Sequence, residues 1–226
     1  MNWAKHWRNC KEERMLHSCT GSVILYSYVF LRVGSIVKMM DKSFEKSIIE
    51  YGAATLAGIK TASLFNFRFA SEASCRHNLS EAGRVLNEKG VYLKLLAQKA
   101  GFYLILIYRR NMIDQLQEDP AVSGFLAEYG YPAKAGTEEI LSHLGIRFRQ
   151  TDRFPHEIGV FLDYPVEDIR GFIDNHGKNC LICGLWKVYS DPHRAAAYFE
   201  KIDHCNTVYR EVYRKGRSLA DMTVAA

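Results

Sequence analysis

The 226-residue sequence contains no glycine-rich phosphate loop, no dinucleotide fingerprint and no G-x-S-x-G elbow. The backbone devices of P-loop nucleotide hydrolases, nicotinamide dehydrogenases and α/β-hydrolases are therefore missing. No internal repeat or low-complexity tract occurs, and no Pro/Gly-rich linker divides the body of the chain. That excludes solenoids and bead-on-string arrays. The six cysteines (10, 19, 75, 180, 183 and 205) have no framework spacing. They read as reduced thiols in a cytoplasm rather than the staples of a secreted scaffold.

Concentrated positive charge is also lacking where a nucleic-acid binder needs it. The net charge is +5, but residues 1–38 hold six Lys/Arg against two acids, leaving 24 Lys/Arg against 23 Asp/Glu in the remainder. A nearly neutral body argues against nucleic acid and for a small molecule or a protein as partner. Long clean apolar runs are absent too. Ser22–Val37 is broken by Arg32 and falls short of the roughly 18–20 residues that span a bilayer. The basic stretch before it is long for a signal peptide, and no A-x-A site follows. Translation starting at Met39 or Met40 is the expectation, which makes residues 1–38 a non-native or disordered extension and residues 39–226 one domain without a membrane span. A membrane or targeting role is the competing reading of that segment.

The hydrophobic fraction of 48% and charged fraction of 24% are those of an ordinary globular protein. From Met39 the pattern opens a helix capped by Asp41 or Ser43, with Phe44, Ile48 and Tyr51 inward. Gly52–Phe67, rich in Gly and Ala, predicts two short helical turns packed closely on a neighbour. Ser80 fits the cap of a helix ending at Asn87–Gly90. Two β-rich runs about Gln98–Gly101 predict a hairpin over residues 91–109, with Phe102–Tyr108 a central strand covered on both faces; a helix over Val91–Lys99 is the competing reading. Asp119-Pro120 starts a further helix, and Thr137 caps one that Gly145 ends. Ile146–Gln150 alternates as a short edge strand does. Pro155 and Pro165 suit two short helices joined by a tight turn, Cys183–Ser190 is the last strand candidate, and Ser190 or Asp191 with Pro192 begins a long final helix. The sum is one mostly helical α+β domain around a small antiparallel sheet, built from the 91–109 hairpin and the 183–189 strand.

Few residues stand out chemically. His156 and Glu157 fall in a first helical turn, where the helix dipole favours a neutral imidazole suited to a metal ligand or general base. They are the candidate catalytic pair. A glutamate in a first turn is equally explained by electrostatics alone, and adjacent helical residues point about 100° apart. Lys60 and Arg109 are candidate anion-binding residues. Trp186 and Tyr189, with Lys187 between them, are a candidate wall and cation for a flat ligand, or simply core aromatics. Cys180 and Cys183, with His156, are the weakest metal candidates, because a zinc site wants four ligands in two spaced pairs. Cys205 lies on the apolar stripe Tyr198, Ile202, Cys205, Tyr209, Val212 and reads as a buried small hydrophobe. The sequence names no cofactor.

Three stretches together, "TLAGIKTASLF" (Thr55–Phe65), "FPHEIGVFLDYPVEDIRGFI" (Phe154–Ile173) and Cys183–Leu219, resemble one bacterial family, domain of unknown function 3793, of anaerobic Gram-positive bacteria. The resemblance runs from about Met39 to the C-terminus and implies that the family pattern includes Lys60, Arg109, His156, Glu157, Trp186, Lys187 and Tyr189. It departs at Gly52 and Ala54, where the family carries cysteine and proline, which takes the ground from a cysteine-based mechanism here. By association it points to flavodoxin-like and iron-handling contexts. The first functional expectation is therefore a cytoplasmic protein binding a small ligand or metal-containing cofactor in redox or iron metabolism. The second is a non-enzymatic adaptor docking on a redox protein such as a flavodoxin-like partner. A cleft in which Lys60, Arg109, His156 and Glu157 converge would favour the first, and dispersed positions the second.

Overall fold

In the computed structural model, residues 39–150 and 154–226 are described; the expectations for residues 1–38 lie outside them. Helix α1 (Lys42–Leu56) starts at Asp41, whose extended backbone lets its carboxylate accept from the Ser43 N–H at 2.7 Å. That satisfies one of the orphan donors of the first turn. Phe44, Ile48 and Ile49 are wholly buried, while Tyr51 is 44% exposed and stacks on Phe65.

The Gly/Ala-rich run is not two helical turns. Helix α1 continues to Leu56, and after a turn the chain enters strand β1 (Ala62–Phe67). The small residues serve close approach: Ala53 and Ala54 pack on Ile202 and Cys205 of the final helix. A Cβ on Gly52 would sit 3.1 Å from Ile107. β1 is buried on both faces, so its sequence lacks the clean alternation by which a half-exposed strand is recognised.

Helix α2 (Glu72–Leu86) is capped by Ser71, not by Ser80, which lies mid-helix; Gly90, with φ +75°, closes the turn after Asn87–Lys89. Strands β2 (Val91–Lys99) and β3 (Phe102–Arg109) form the expected hairpin. Its turn places Ala100 and Gly101 at φ +50° and +77°, the two left-handed residues that a tight right-twisting hairpin requires. The sheet order is β1-β3-β2, antiparallel throughout. β3 is the central strand, and its side chains feed two cores. Leu104, Leu106 and Tyr108 join the cluster on one face, and Tyr103, Ile105 and Ile107 join that of α1 and α2 on the other.

Four helices follow: α3 (Arg110–Leu116), α4 (Pro120–Ala127, capped by Asp119), α5 (Thr137–Gln150) and α6 (Ile158–Phe161). Residues 146–150 are the end of α5 and not an edge strand. Gly145 does not stop this helix; it lets α5 ride close on β2, where a Cβ would sit 3.5 Å from the Leu96 carbonyl oxygen. Helix α7 (Val166–Asp174) follows α6 through a tight turn at Asp163, with Pro165 at its entry. Residues 183–189 do not join the sheet. They form a separate ribbon, β4 (Ile182–Cys183) with β5 (Lys187–Val188), before the long helix α8 (Pro192–Arg214). The fold is α+β and mostly helical. Among the described residues no helix is long and apolar enough to cross a membrane.

The ribbon is pressed on α7 at Gly171, where a Cβ would lie 2.5 Å from Tyr189 Cβ and 2.6 Å from its Cγ. Both atoms are near the backbone and cannot swing aside. Alanine is intrinsically better than glycine in a helix by about 1 kcal/mol, but overpacking of this kind costs roughly 1–3 kcal/mol. Gly171→Ala is expected to lower stability despite the propensity gain, read as a fall in the urea midpoint with unchanged slope.

Candidate functional site

The residues singled out by sequence fall into three separate places. At the first, Arg109 ends β3 with 2% exposure, and its guanidinium faces the C-terminus of α1. Nε donates to the Thr55 carbonyl at 2.6 Å, and Nη2 donates to those of Leu56 and Val224, each at 2.7 Å. Last-turn carbonyls are the orphan acceptors of a helix and carry the negative end of its dipole, so a cation there is doubly favourable. Burial pulls the Arg109 pKa down. The donors that sequence assigned to an anion are committed to main chain.

At the second place, Glu157 is completely buried at the start of α6. Its Oε1 accepts from Arg147 Nε at 2.8 Å, while Oε2 has no hydrogen-bond donor among the described residues. The Tyr131 hydroxyl is likewise buried without a partner, and burial together with the Glu157 charge pushes this phenol far above its ordinary range. His156 points elsewhere. Its ring is half-buried against Phe172 at 5.1 Å and Phe154 at 6.2 Å. The two neighbours thus serve different surroundings, as helical geometry dictates.

The third place does bring residues together. The turn after α1 presents Lys60, and the turn between α6 and α7 presents Asp163 with φ +61°. Asp163 Oδ2 accepts from the Thr61 N–H at 2.9 Å and from the Tyr198 hydroxyl at 3.0 Å. The Lys60 ammonium lies 5.9 Å from the centre of the Tyr164 ring. Among the described residues it has neither a hydrogen-bond acceptor nor a carboxylate oxygen within 4.0 Å. Loss of water around the amine pushes the Lys60 pKa down to about 8, with the Asp163 charge opposing. Burial, reinforced by Asp163, pushes the Tyr198 phenol far up. Sequence reading passed over Asp163 and took Tyr198 for plain core. The signal was there in the tight turn between the two prolines, since Asp is among the few residues that accept a left-handed backbone.

Trp186 forms the floor of this region and is not an open wall. It is 7% exposed, stacks on Tyr164 at 4.8 Å and meets Phe199 edge-on at 4.6 Å. Its indole N–H donates to Asp168 Oδ2 at 2.7 Å, while Asp168 Oδ1 accepts from the Tyr189 and Ser190 amides and the Ser190 hydroxyl. Lys187 donates to the Gly177 carbonyl at 2.9 Å, and Tyr189 packs on Gly171. Cys183 is exposed and Cys180 half-buried, both free thiols. Among the described residues no three His, Cys, Asp or Glu side chains are grouped to hold a metal ion.

The fold and these sites define a mostly helical α+β protein in which the half-buried Lys60 is set beside a carboxylate–tyrosine pair. A family model described as "Protein of unknown function (DUF3793)" matches residues 48–223, and the chain belongs to that family. No curated protein and no solved structure matches it.

Replacing Arg109 by alanine would remove three charge-assisted hydrogen bonds and leave the carbonyls of Thr55 and Leu56 with one backbone donor each, the amides of Gly58 and Val224. With roughly 1.5–3 kcal/mol for a hydrogen bond to a charged group, Arg109→Ala is expected to cost about 3 kcal/mol or more. Hydrogen exchange checks the mechanism: the Val224 amide, which donates to Leu56 O at 2.9 Å, should lose protection first.

Proposed function

We propose that the protein binds a small anionic or strongly polar molecule at Lys60, with Asp163, Tyr164 and Tyr198 shaping the site, in the cytoplasm and in the service of redox or iron metabolism. One observation carries the site: at Lys60 a charge has been drawn out of water with no protein acceptor among the described residues to receive it. Such a group is costly unless a ligand uses it. Arg109 and Asp168, by contrast, are buried with their hydrogen bonds made. The metabolic setting rests on the family resemblance and the unpaired cysteines.

The adaptor reading draws on a different observation. Among the described residues Lys60, Arg109, His156 and Glu157 each have different partners. Under that reading no small molecule stabilises the protein, and the search moves to a redox partner.

The test is a thermal-shift screen of small carboxylates and phosphates, oxalate among them, on wild type and Lys60→Met. A ligand at a hundred times its dissociation constant stabilises by about 2.7 kcal/mol, a shift of several degrees that the variant should lose. If no compound separates wild type from variant, the site reading fails. Metal analysis and an absorption spectrum of protein prepared without air, with His156→Ala beside it, guard the alternative. A stoichiometric metal or chromophore lost in that variant would move the centre to His156.

A pH dependence follows from the lowered amine. The folded pKa is about 8 against an ordinary lysine value of 10.5, so between those values the unfolded chain binds more protons, and stability attributable to Lys60 rises with pH. Lys60→Met is expected to be more stable than wild type at pH 7, by about 1–3 kcal/mol. The difference should shrink as pH climbs from 8 towards 10, measured by denaturant titration at each pH.

A further inference from the structure

The Lys60 site contains more than a cation. The amine is half-buried and uncommitted, and the carboxylate opposite is fixed rather than mobile. Thr61 N–H and the Tyr198 hydroxyl both donate to Asp163 Oδ2, at 2.9 and 3.0 Å, whereas Oδ1 receives no protein hydrogen bond among the described residues. No ion pair within 4.0 Å locks Lys60 to that carboxylate. The Tyr164 and Trp186 rings supply an apolar side. An amine free of ion pairing, a fixed proton acceptor and shelter from water are what carbonyl addition needs.

We propose that Lys60 is a nucleophile that condenses with a small aldehyde or 2-oxo acid to form an imine, with Asp163 as its proton carrier. This rests on the reading of Lys60 as the ligand site and names the ligand class. The amine lone pair adds to the carbonyl carbon, and the carbonyl oxygen takes up a proton to give a carbinolamine. The C–O bond then breaks and the oxygen leaves as water. The two protons lost by nitrogen balance those of the water, and no oxidant or reductant is consumed. Through an intervening water, because it stands more than 4.0 Å from the amine, the Asp163 carboxylate accepts a proton shed by nitrogen and returns it to the departing hydroxyl. The lowered amine supports this, since with a pKa of about 8 roughly a tenth of it is uncharged at pH 7.

The full chain is treated at pH 7 with glyoxylate and sodium cyanoborohydride, which reduces an imine to a stable carboxymethyl-lysine located by peptide mass mapping. The exposed Lys201 and Lys215 serve as internal references. Lys60 is expected to label at least about tenfold faster than either. Asp163→Asn should slow Lys60 while leaving Lys201 unchanged, although removing the charge makes the amine less basic still. Labelling of Lys60 at the rate of Lys201, or faster labelling in Asp163→Asn, overturns the proposal. Oxalate, which cannot form an imine, separates the two readings. If oxalate still stabilises wild type over Lys60→Met while Lys60 labels no faster than Lys201, anion binding stands and imine formation falls. If both fail, the ligand site falls with it.

Discussion

The Arg109 guanidinium is the contact on which the arrangement of the chain depends. It stands at the end of the central strand and joins the carboxyl end of α1 to the returning C-terminal tail through three carbonyls. A lysine could not do this, because one ammonium on a flexible stem lacks the rigid fork of donors that spans neighbouring carbonyls. The same contact fixes where the chain leaves α1, and so where Lys60 and Thr61 emerge opposite Asp163. Among the described residues the buried cation Arg109 thereby positions the half-buried Lys60.

Among the described residues Glu45, Arg109, Glu157 and Asp168 are buried and Lys60 is half-buried, and they differ in how far the protein answers them. Arg109 and Asp168 have hydrogen bonds from several directions and hold elements together. Glu157 is answered on one oxygen by Arg147 and not on the other. Among the described residues Lys60 is answered by the ring face of Tyr164 and by the Asp163 charge just beyond ion-pair distance. Interior polar groups are ordinarily satisfied, so an unanswered one points to chemistry more strongly than a buried charge alone.

Much of the fold was legible in the sequence because its signals were local. The Asp41, Asp119 and Asp191 caps, the Ala100-Gly101 hairpin turn and the two helices about Pro155 and Pro165 all rest on side chains acting within a few residues. What was hidden depended on distant partners. β1 looked like helix because Ala62 and Leu64 face one core and Phe65 the other. Gly145 looked like a stop signal because the strand it packs against is nearly fifty residues earlier in the chain. The site was legible in part: Lys60 stood out, but Asp163 meets its neighbour Thr61 across 102 residues of chain, and Tyr198 meets Asp163 across 35. Arg109 was visible as a buried-strand terminus, and nothing local revealed that its acceptors would be backbone.

Strand β3 has a consequence for how the molecule comes apart. Its alternate side chains are anchored in opposite cores, so neither core can loosen without withdrawing half of the strand from the other. The two apolar clusters are bonded through one backbone and behave as a single cooperative unit. A calorimeter would record one endotherm for the body of the chain, and damage to the helices beside Lys60 would be felt in the far cluster beneath α1.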